Sequence, residues 1–371
     1  MAMTKNTSSP DGEPKMGSVL LDDLRQGDFI GTVKRDFREL KEFMLTEERR
    51  KRLKEMGRVK RGIFISLWLL KALILKLTPA RRLLLVISIV LFWFSTSVSY
   101  EGHNFHMRSE TAFAGAAVLL FVLMLELKDK LVAQKELEAG RAVQEALMPE
   151  RCPRVPGWSL WLFTRSANEV GGDLVDFMRI DGNRFGVALG DVAGKGLRAA
   201  LLMAKLQATL RALVPDVVSL AELGTKLNQI FSRDSIPTIF ASLAYLEVQS
   251  DSGLVRVLNA GHFPPLIVRG ARVEKMERGG AALGILHSAT FAEQRIDLEK
   301  GDSLLVYSDG LTEARNERGD YYGEQRLLGL LPQIAGLRTE QLGERLVAEV
   351  DRFMGEARAN DDLSIALLRR E

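Results

Sequence analysis

Two textures divide this chain. Between residues 62 and 125 apolar positions come in long blocks: GIFISLWLLKALILKL (62–77), LLLVISIVLFWFSTSV (83–98) and TAFAGAAVLLFVLML (111–125). Beyond residue 158 they come in short runs separated by Gly, Asp and Asn, a texture of strands and turns. The second block is uncharged over residues 83–100 and the third over 111–125, close to the length needed to cross roughly 30 Å of hydrocarbon. They predict a transmembrane hairpin of helices at about 81–99 and 111–127. The first block is broken by Lys71 and Lys76 and predicts an interfacial helix over 62–77, separated from the second by Pro79. A buried hairpin in a soluble protein is the alternative, and leaving Phe92, Trp93 and Phe94 together near water makes it costly.

Charge gives this region an orientation. The run RRKRLKEMGRVKR (49–61) holds eight basic residues and one acidic, Arg81 and Arg82 precede the second block, and Lys128 and Lys130 follow the third. The connecting loop YEGHNFHMRSE has Arg108 alone. Both ends of the hairpin are therefore expected on the cytoplasmic side of the inner membrane, in contact with lipid. Residues 1–61 form a cytoplasmic tail and helical region, in which 1–20 read as disordered and Val33, Phe37, Leu40 and Phe43 recur at helical spacing. Residues 128–150 predict a polar linker helix stopped by Pro149, with an irregular heptad that leaves a homodimer through it open.

In the remaining 151–371, nine strand-like runs are interleaved with helical runs at 196–213, 218–233, 323–334 and 339–357. Short turns such as Asp181-Gly182-Asn183 join neighbouring strands. Helices fall in tandem pairs instead of alternating with strands, which disfavours a doubly wound parallel sheet and favours an α+β layered sandwich. Composition changes this picture little. The 371 residues carry a net charge of +3, too small to argue for nucleic acid. A single cysteine, Cys152, precludes an internal disulfide framework, and four histidines leave a metal to be held mostly by oxygen.

The candidate chemistry starts at GDVAGKG (190–196). Its glycine spacing fits neither the Walker A loop nor the dinucleotide fingerprint, and Asp191 would repel a phosphate. As a turn former or helix cap Asp191 would be unremarkable in type; as a metal ligand at a strand end it would have company. Asp173 in VGGDLVDF, Asp309 in LLVYSDGLTEA, and Asp361 and Asp362 in ANDDLSIALL repeat the arrangement. Four carboxylates meeting at one sandwich edge would suit two divalent cations.

These stretches, with LNAGHFPPL between them, resemble in order and content the SpoIIE-type (RsbU-like) bacterial serine/threonine phosphatases of the metal-dependent superfamily that includes protein phosphatase 2C. The resemblance runs over about 134–370 and omits the membrane region. It implies a four-layer α-β-β-α sandwich and two Mn²⁺ or Mg²⁺ ions. It implies that Asp191 bridges the ions with the Val192 carbonyl adjoining, that Asp173 serves one ion, and that Asp309 and Asp361 serve the other. Asp191 and Asp309 are the residues on which catalysis would most depend, and Asp362 would support the ligands from behind. Arg198, Leu174, Val175 and Ser364 depart from the usual pattern without removing a ligand.

The implied activity is membrane-anchored hydrolysis of phosphoserine or phosphothreonine on a regulatory protein, such as an anti-anti-sigma factor in a partner-switching pathway. A phosphoprotein-binding adaptor without turnover is the alternative, and a two-metal phosphodiesterase a third. His262 is either a proton donor to the leaving group or a packed turn histidine. Lys195 either attracts substrate phosphate or is a solvated loop residue. Asp176 either supports Asp173 through water or sits in a surface turn. Movement of the linker helix is expected to shift the Asp173 loop and gate metal binding.

Overall fold

The computed structural model describes residues 57–93, 97–99, 106–108, 111–233, 240–250 and 252–371. The expected tail and helix within residues 1–56 lie outside them. The chain divides into two compact units, 1–130 and 131–371.

In the first unit, α1 (Arg58–Lys76) ends two residues before α2 (Pro79–Trp93), with Pro79 at the first helical position, where its missing N–H costs nothing. Arg82 donates to carbonyls at the end of α1, that of Ile74 (3.1 Å), which also accepts the Leu77 amide, and that of Leu75 (2.5 Å). After α2, β1 (Ser97–Ser99) pairs antiparallel with β2 (His106–Arg108). Of the helix expected at about 81–99, the described residues show α2 as far as Trp93 and an extended segment at Ser97–Ser99. The sequence Ser-Thr-Ser-Val-Ser there is rich in weak helix formers.

The third apolar block and the polar linker form one unbroken helix, α3 (Thr111–Leu147), through Gly140. Among the described residues it is the one helix both long and apolar enough to cross a membrane. α2 and α3 pack antiparallel: the Ser88 hydroxyl donates to the Gly115 carbonyl (2.7 Å), and Arg81 reaches Glu126 and Asp129 (2.6 Å each). A Cβ at Gly115 would lie 2.8 Å from the Ser88 carbonyl, so glycine permits this approach. Elsewhere on the pair Leu83, Val86, Ile89, Trp93, Phe113, Leu120 and Leu123 are exposed.

The second unit is the expected four-layer sandwich. Its strands are β3 (Trp158–Arg165), β4 (Asp173–Arg179), β5 (Arg184–Val192), β6 (Ala241–Gln249), β7 (Leu254–Ala260), β8 (Leu266–Arg269), β9 (Arg272–Lys275), β10 (Glu293–Asp297), β11 (Ser303–Tyr307) and β12 (Leu363–Arg370). They form two five-stranded antiparallel sheets, ordered β10-β7-β6-β5-β4 and β3-β12-β11-β8-β9. The period of two along each strand builds the layers. Phe185, Val187 and Leu189 of β5 meet Leu304, Val306, Ala366 and Leu368 between the sheets. The alternate residues Ala188, Leu243 and Tyr245 face α4 (Leu197–Leu213) and α5 (Leu220–Arg233). On the other side Leu305, Tyr307, Ile365 and Leu367 face α7 (Glu324–Ile334) and α8 (Thr339–Met354). A four-residue helix, α6 (Asp309–Thr312), follows β11.

Candidate functional site

At one end of the sandwich, inward positions stop being apolar. Asp173 opens β4, Asp191 is the penultimate residue of β5, and the two stand directly opposite each other in the antiparallel register. They share the inner face with Val175 and Leu189, two residues further in. From the other sheet come Asp309, the first residue after the β11–Ser308 step, and Asp361, two residues before β12.

The charges on these side chains act on one another across the gap between the sheets. Burial pushes Asp191 up to about 7, with Asp309, Asp361 and Asp362 adding to the rise and Lys195 opposing it. Asp173 is raised well above the usual carboxylate range by burial and then by Asp191; Ser364 and Ser308 oppose this. Asp309 is raised by burial, then by Asp361 and Glu313. Like charges crowded in a dry space resist ionisation, and a cation among them restores it.

One oxygen marks where such a cation fits. Oδ2 of Asp173 is buried and has no hydrogen-bond partner, a costly state for a carboxylate. The donor set is entirely oxygen, the preference of hard divalent ions. Among the described residues no three His, Cys, Asp or Glu side chains close into a cage. Mutual coupling of the aspartates therefore defines the site, without a preformed cage. The all-oxygen donor set and the unpartnered Asp173 Oδ2 fit a hard cation.

The surrounding backbone is shaped to hold these groups. Asp362 is buried and accepts three amides: Ala167 (2.7 Å) at Oδ1, and Gly172 (2.6 Å) and Asp173 (3.4 Å) at Oδ2. It ties the loop before β4 to the opposite sheet. A Cβ on Gly310 would collide with the Asp362 carbonyl, so α6 can turn past this segment because residue 310 is glycine. Gly194 and Gly196 have φ of 119° and 74°, which the turn after Val192 requires. The Val192 carbonyl lies 3.2 Å from where a Gly172 Cβ would stand.

Three sequence expectations resolve differently. Lys195, expected either to attract substrate phosphate or to be a solvated loop residue, is exposed and paired: its ammonium meets Asp361 Oδ2 at 3.0 Å and the Asn360 carbonyl at 2.6 Å. Asp176 is neither in a surface turn nor beside Asp173. The period of two turns it to the opposite face of β4, where it is fully buried and held bidentately by Arg211 of α4 at 2.6 and 2.8 Å. His262 is buried, and that burial pushes its pKa down to about 4. The neutral ring is packed edge-on against Phe263 and lies between the Ser242 hydroxyl and the Tyr307 carbonyl.

Sequence reasoning missed Gln144. In the last turn of α3 its carboxamide pairs with the backbone of Gly171, donating to the carbonyl (2.9 Å) and accepting from the amide (3.0 Å). Gln207 of α4 donates to the Leu147 carbonyl at 3.0 Å. Nothing in the polar pattern distinguishes Gln144 from Gln134, which bonds only Glu138 on its own helix.

Residues 181–371 match the family described as Stage II sporulation protein E (SpoIIE). The match begins after Asp173, whose place in the site rests on the β4–β5 register. The chain is 26% identical over 275 residues to protein IcfG of Synechocystis sp., covering 66% of this chain and 43% of that protein. It is 23% identical over 240 residues to the phosphoserine phosphatase RsbU of Bacillus subtilis, covering 64% and 71% respectively. Among solved structures, the SiaA-PP2C domain of Pseudomonas aeruginosa aligns with a TM-score of 0.57 at 19% identity, over 66% of this chain and 99% of that one, and shares its fold.

Proposed function

The chain belongs to the SpoIIE family of bacterial serine/threonine phosphatases, in the superfamily of protein phosphatase 2C, and from that premise we propose that it removes phosphate from phosphoserine or phosphothreonine of a small regulatory protein. The observation that carries this is the meeting of Asp173 and Asp191 from one sheet with Asp309 and Asp361 from the other. Asp173, Asp191 and the Val192 carbonyl would hold one divalent ion, and Asp191, Asp309 and Asp361 a second, Mn²⁺ or Mg²⁺. When bound, such ions supply Lewis acidity, acidifying water for attack on phosphorus and neutralising the phosphoryl oxygens. The chain's own part is positioning. The amides of Gly172 and Asp173 fix Asp362, and Lys195 leaves a positive charge at the rim where an anionic substrate enters.

The substrate is of the anti-anti-sigma factor type, as the family resemblance implies, and RsbU is a phosphoserine phosphatase by name. The chain spans less than half the length of IcfG, so its substrate and partners are its own to establish. The membrane reading draws support from the exposed apolar faces of α2 and α3 and the length of α3. In it the hairpin anchors the phosphatase at the inner face of the cytoplasmic membrane. Control through the linker draws support from the Gln144–Gly171 pair, a direct grip of α3 on the loop that carries Asp173. Pairing of two copies through α3 would place that grip under control of the dimer.

The test is phosphate release from a phosphorylated anti-anti-sigma protein by the full-length chain, with and without Mn²⁺. Release that needs Mn²⁺ and vanishes in Asp191→Asn is expected. Binding of the phosphoprotein with no release under any metal would replace the enzyme with an adaptor. Cleavage of diesters in preference to the phosphoprotein would replace it with a phosphodiesterase.

A further inference from the structure

The turn after β7 carries a histidine with two arms. His262 is buried, with Nδ1 2.9 Å from the Ser242 hydroxyl and Nε2 3.2 Å from the Tyr307 carbonyl. A carbonyl can only accept, so Nε2 carries the hydrogen, and Nδ1 of the neutral ring accepts from Ser242. The two partners belong to different sheets. Ser242 is on β6, directly opposite Asp191 in the β5–β6 register. Tyr307 ends β11, two residues before Asp309. One imidazole thus joins the strand beside Asp191 to the strand that delivers Asp309.

The ring is itself held. The His262 amide donates to the Asn259 side chain at 2.9 Å, and Gly261 turns the chain with φ of 72°, against Ala282, where a Cβ has no room. Phe263, packed edge-on to the imidazole, stacks on Tyr307 with ring centroids 5.7 Å apart. The Asn259–Phe263 turn therefore leans on β11 through two neighbouring side chains.

The need for such a tie follows from the site. Deeper between the sheets, apolar packing of Leu189, Val306 and Ala366 draws the layers together. At this end carboxylates replace that packing, and Asp191 and Asp309 repel each other across the gap. Repulsion favours splaying of the sheet ends, and splaying would separate ligands that a shared ion must reach together. We propose that His262 is a positioning residue, a two-armed strut that fixes the distance between the Asp191 and Asp309 strands and thereby sets the affinity of the site for divalent cations. The proposal rests on the reading of these aspartates as ligands.

The experiment is calorimetric titration of Mn²⁺ into the chelator-treated full-length chain, with thermal unfolding measured alongside. His262→Phe fills the space without either arm; His262→Gln keeps a carboxamide nitrogen able to reach the Tyr307 carbonyl; Ser242→Ala removes one arm and leaves the ring. His262→Phe is expected to weaken Mn²⁺ binding by about tenfold or more, the usual cost of losing a group that orients ligands. His262→Gln is expected to recover most of that loss, and Ser242→Ala to show a smaller one. Folded His262→Phe with wild-type Mn²⁺ affinity would overturn the strut. If His262→Phe does not fold, Ser242→Ala decides, and wild-type affinity there overturns it equally. Wild-type protein that binds Mn²⁺ but releases no phosphate would instead defeat the phosphatase reading and leave the strut standing.

Discussion

The two sheets bring unlike carboxylates to the same site. In the first, Asp173 is 5% exposed, the half-buried Asp191 stands directly opposite it in the β-ladder, and both are raised above all by burial. In the second, Asp309 is half-buried at the start of α6 and is also raised first by burial, while Asp361 lies nearer to water. Asp361 has a side chain 44% exposed and already shares it with the Lys195 ammonium. β4, which carries Asp173, is also pinned from behind by the buried Asp176, held by the half-exposed Arg211. At Asp173 the first sheet supplies a desolvated carboxylate pinned along the ladder, where a missing counter-charge costs most. At Asp361 the second supplies an adjustable one, where solvent and lysine already share the charge.

The largest effect that would break this comparison is on activity. Asp191→Asn should lower phosphate release by about a hundredfold to ten-thousandfold, the scale of metal-borne charge stabilisation, in a steady-state assay with Mn²⁺. Next comes stability. Arg211→Ala strands the fully buried Asp176 carboxylate and should cost about 3 kcal/mol in denaturant unfolding, the scale for an uncompensated buried charge. If the cost were near zero, β4 would not be pinned by that pair.

A pH titration sharpens the contrast. The pKa of Asp191 is raised to about 7 from 3.8, so between those values the folded state binds more protons than the unfolded state. Chelator-treated protein should therefore lose stability as pH rises through this window, and Asp191→Asn should flatten that slope. Added Mn²⁺ should restore stability at the upper end, because binding favours the ionised form. The smallest expected effect is at the wet side: Lys195→Ala should change Mn²⁺ affinity by less than about tenfold, since exposed ion pairs contribute about 0.2–1 kcal/mol.

Much of this was legible in the sequence because it rests on local pattern. Alternation marked nine of the ten strands of the catalytic unit, and Asp-Gly turns marked their joints. β9 was missed because Arg272–Lys275 is a four-residue edge strand with three charged residues, so burial leaves no pattern in it. The aspartates stood out because each follows or precedes an apolar run, three of them (Asp173, Asp191 and Asp309) beside glycine. Their meeting did not, because it depends on the strand order within each sheet and on how the sheets stack, which local periodicity leaves open. The same limit hid Gln144 and Ser242, polar residues whose partners are 27 and 20 positions away in the chain. Asp176 was misjudged by closeness in sequence: three positions along a strand is an odd step, and it turns the side chain to the other face. In the first unit the apolar blocks fall on α1, α2 and the first half of α3, while residues 94–96, just after Trp93, lie outside the described residues.

The central claim is that aspartates from both sheets hold the same cations. Mn²⁺ titrated by calorimetry into chelator-treated wild-type chain, Asp191→Asn and Asp309→Asn tests it most directly. The account expects tight binding in the wild type and its loss in each variant, although the two substitutions lie on opposite sheets. Wild-type binding retained in either variant would contradict it.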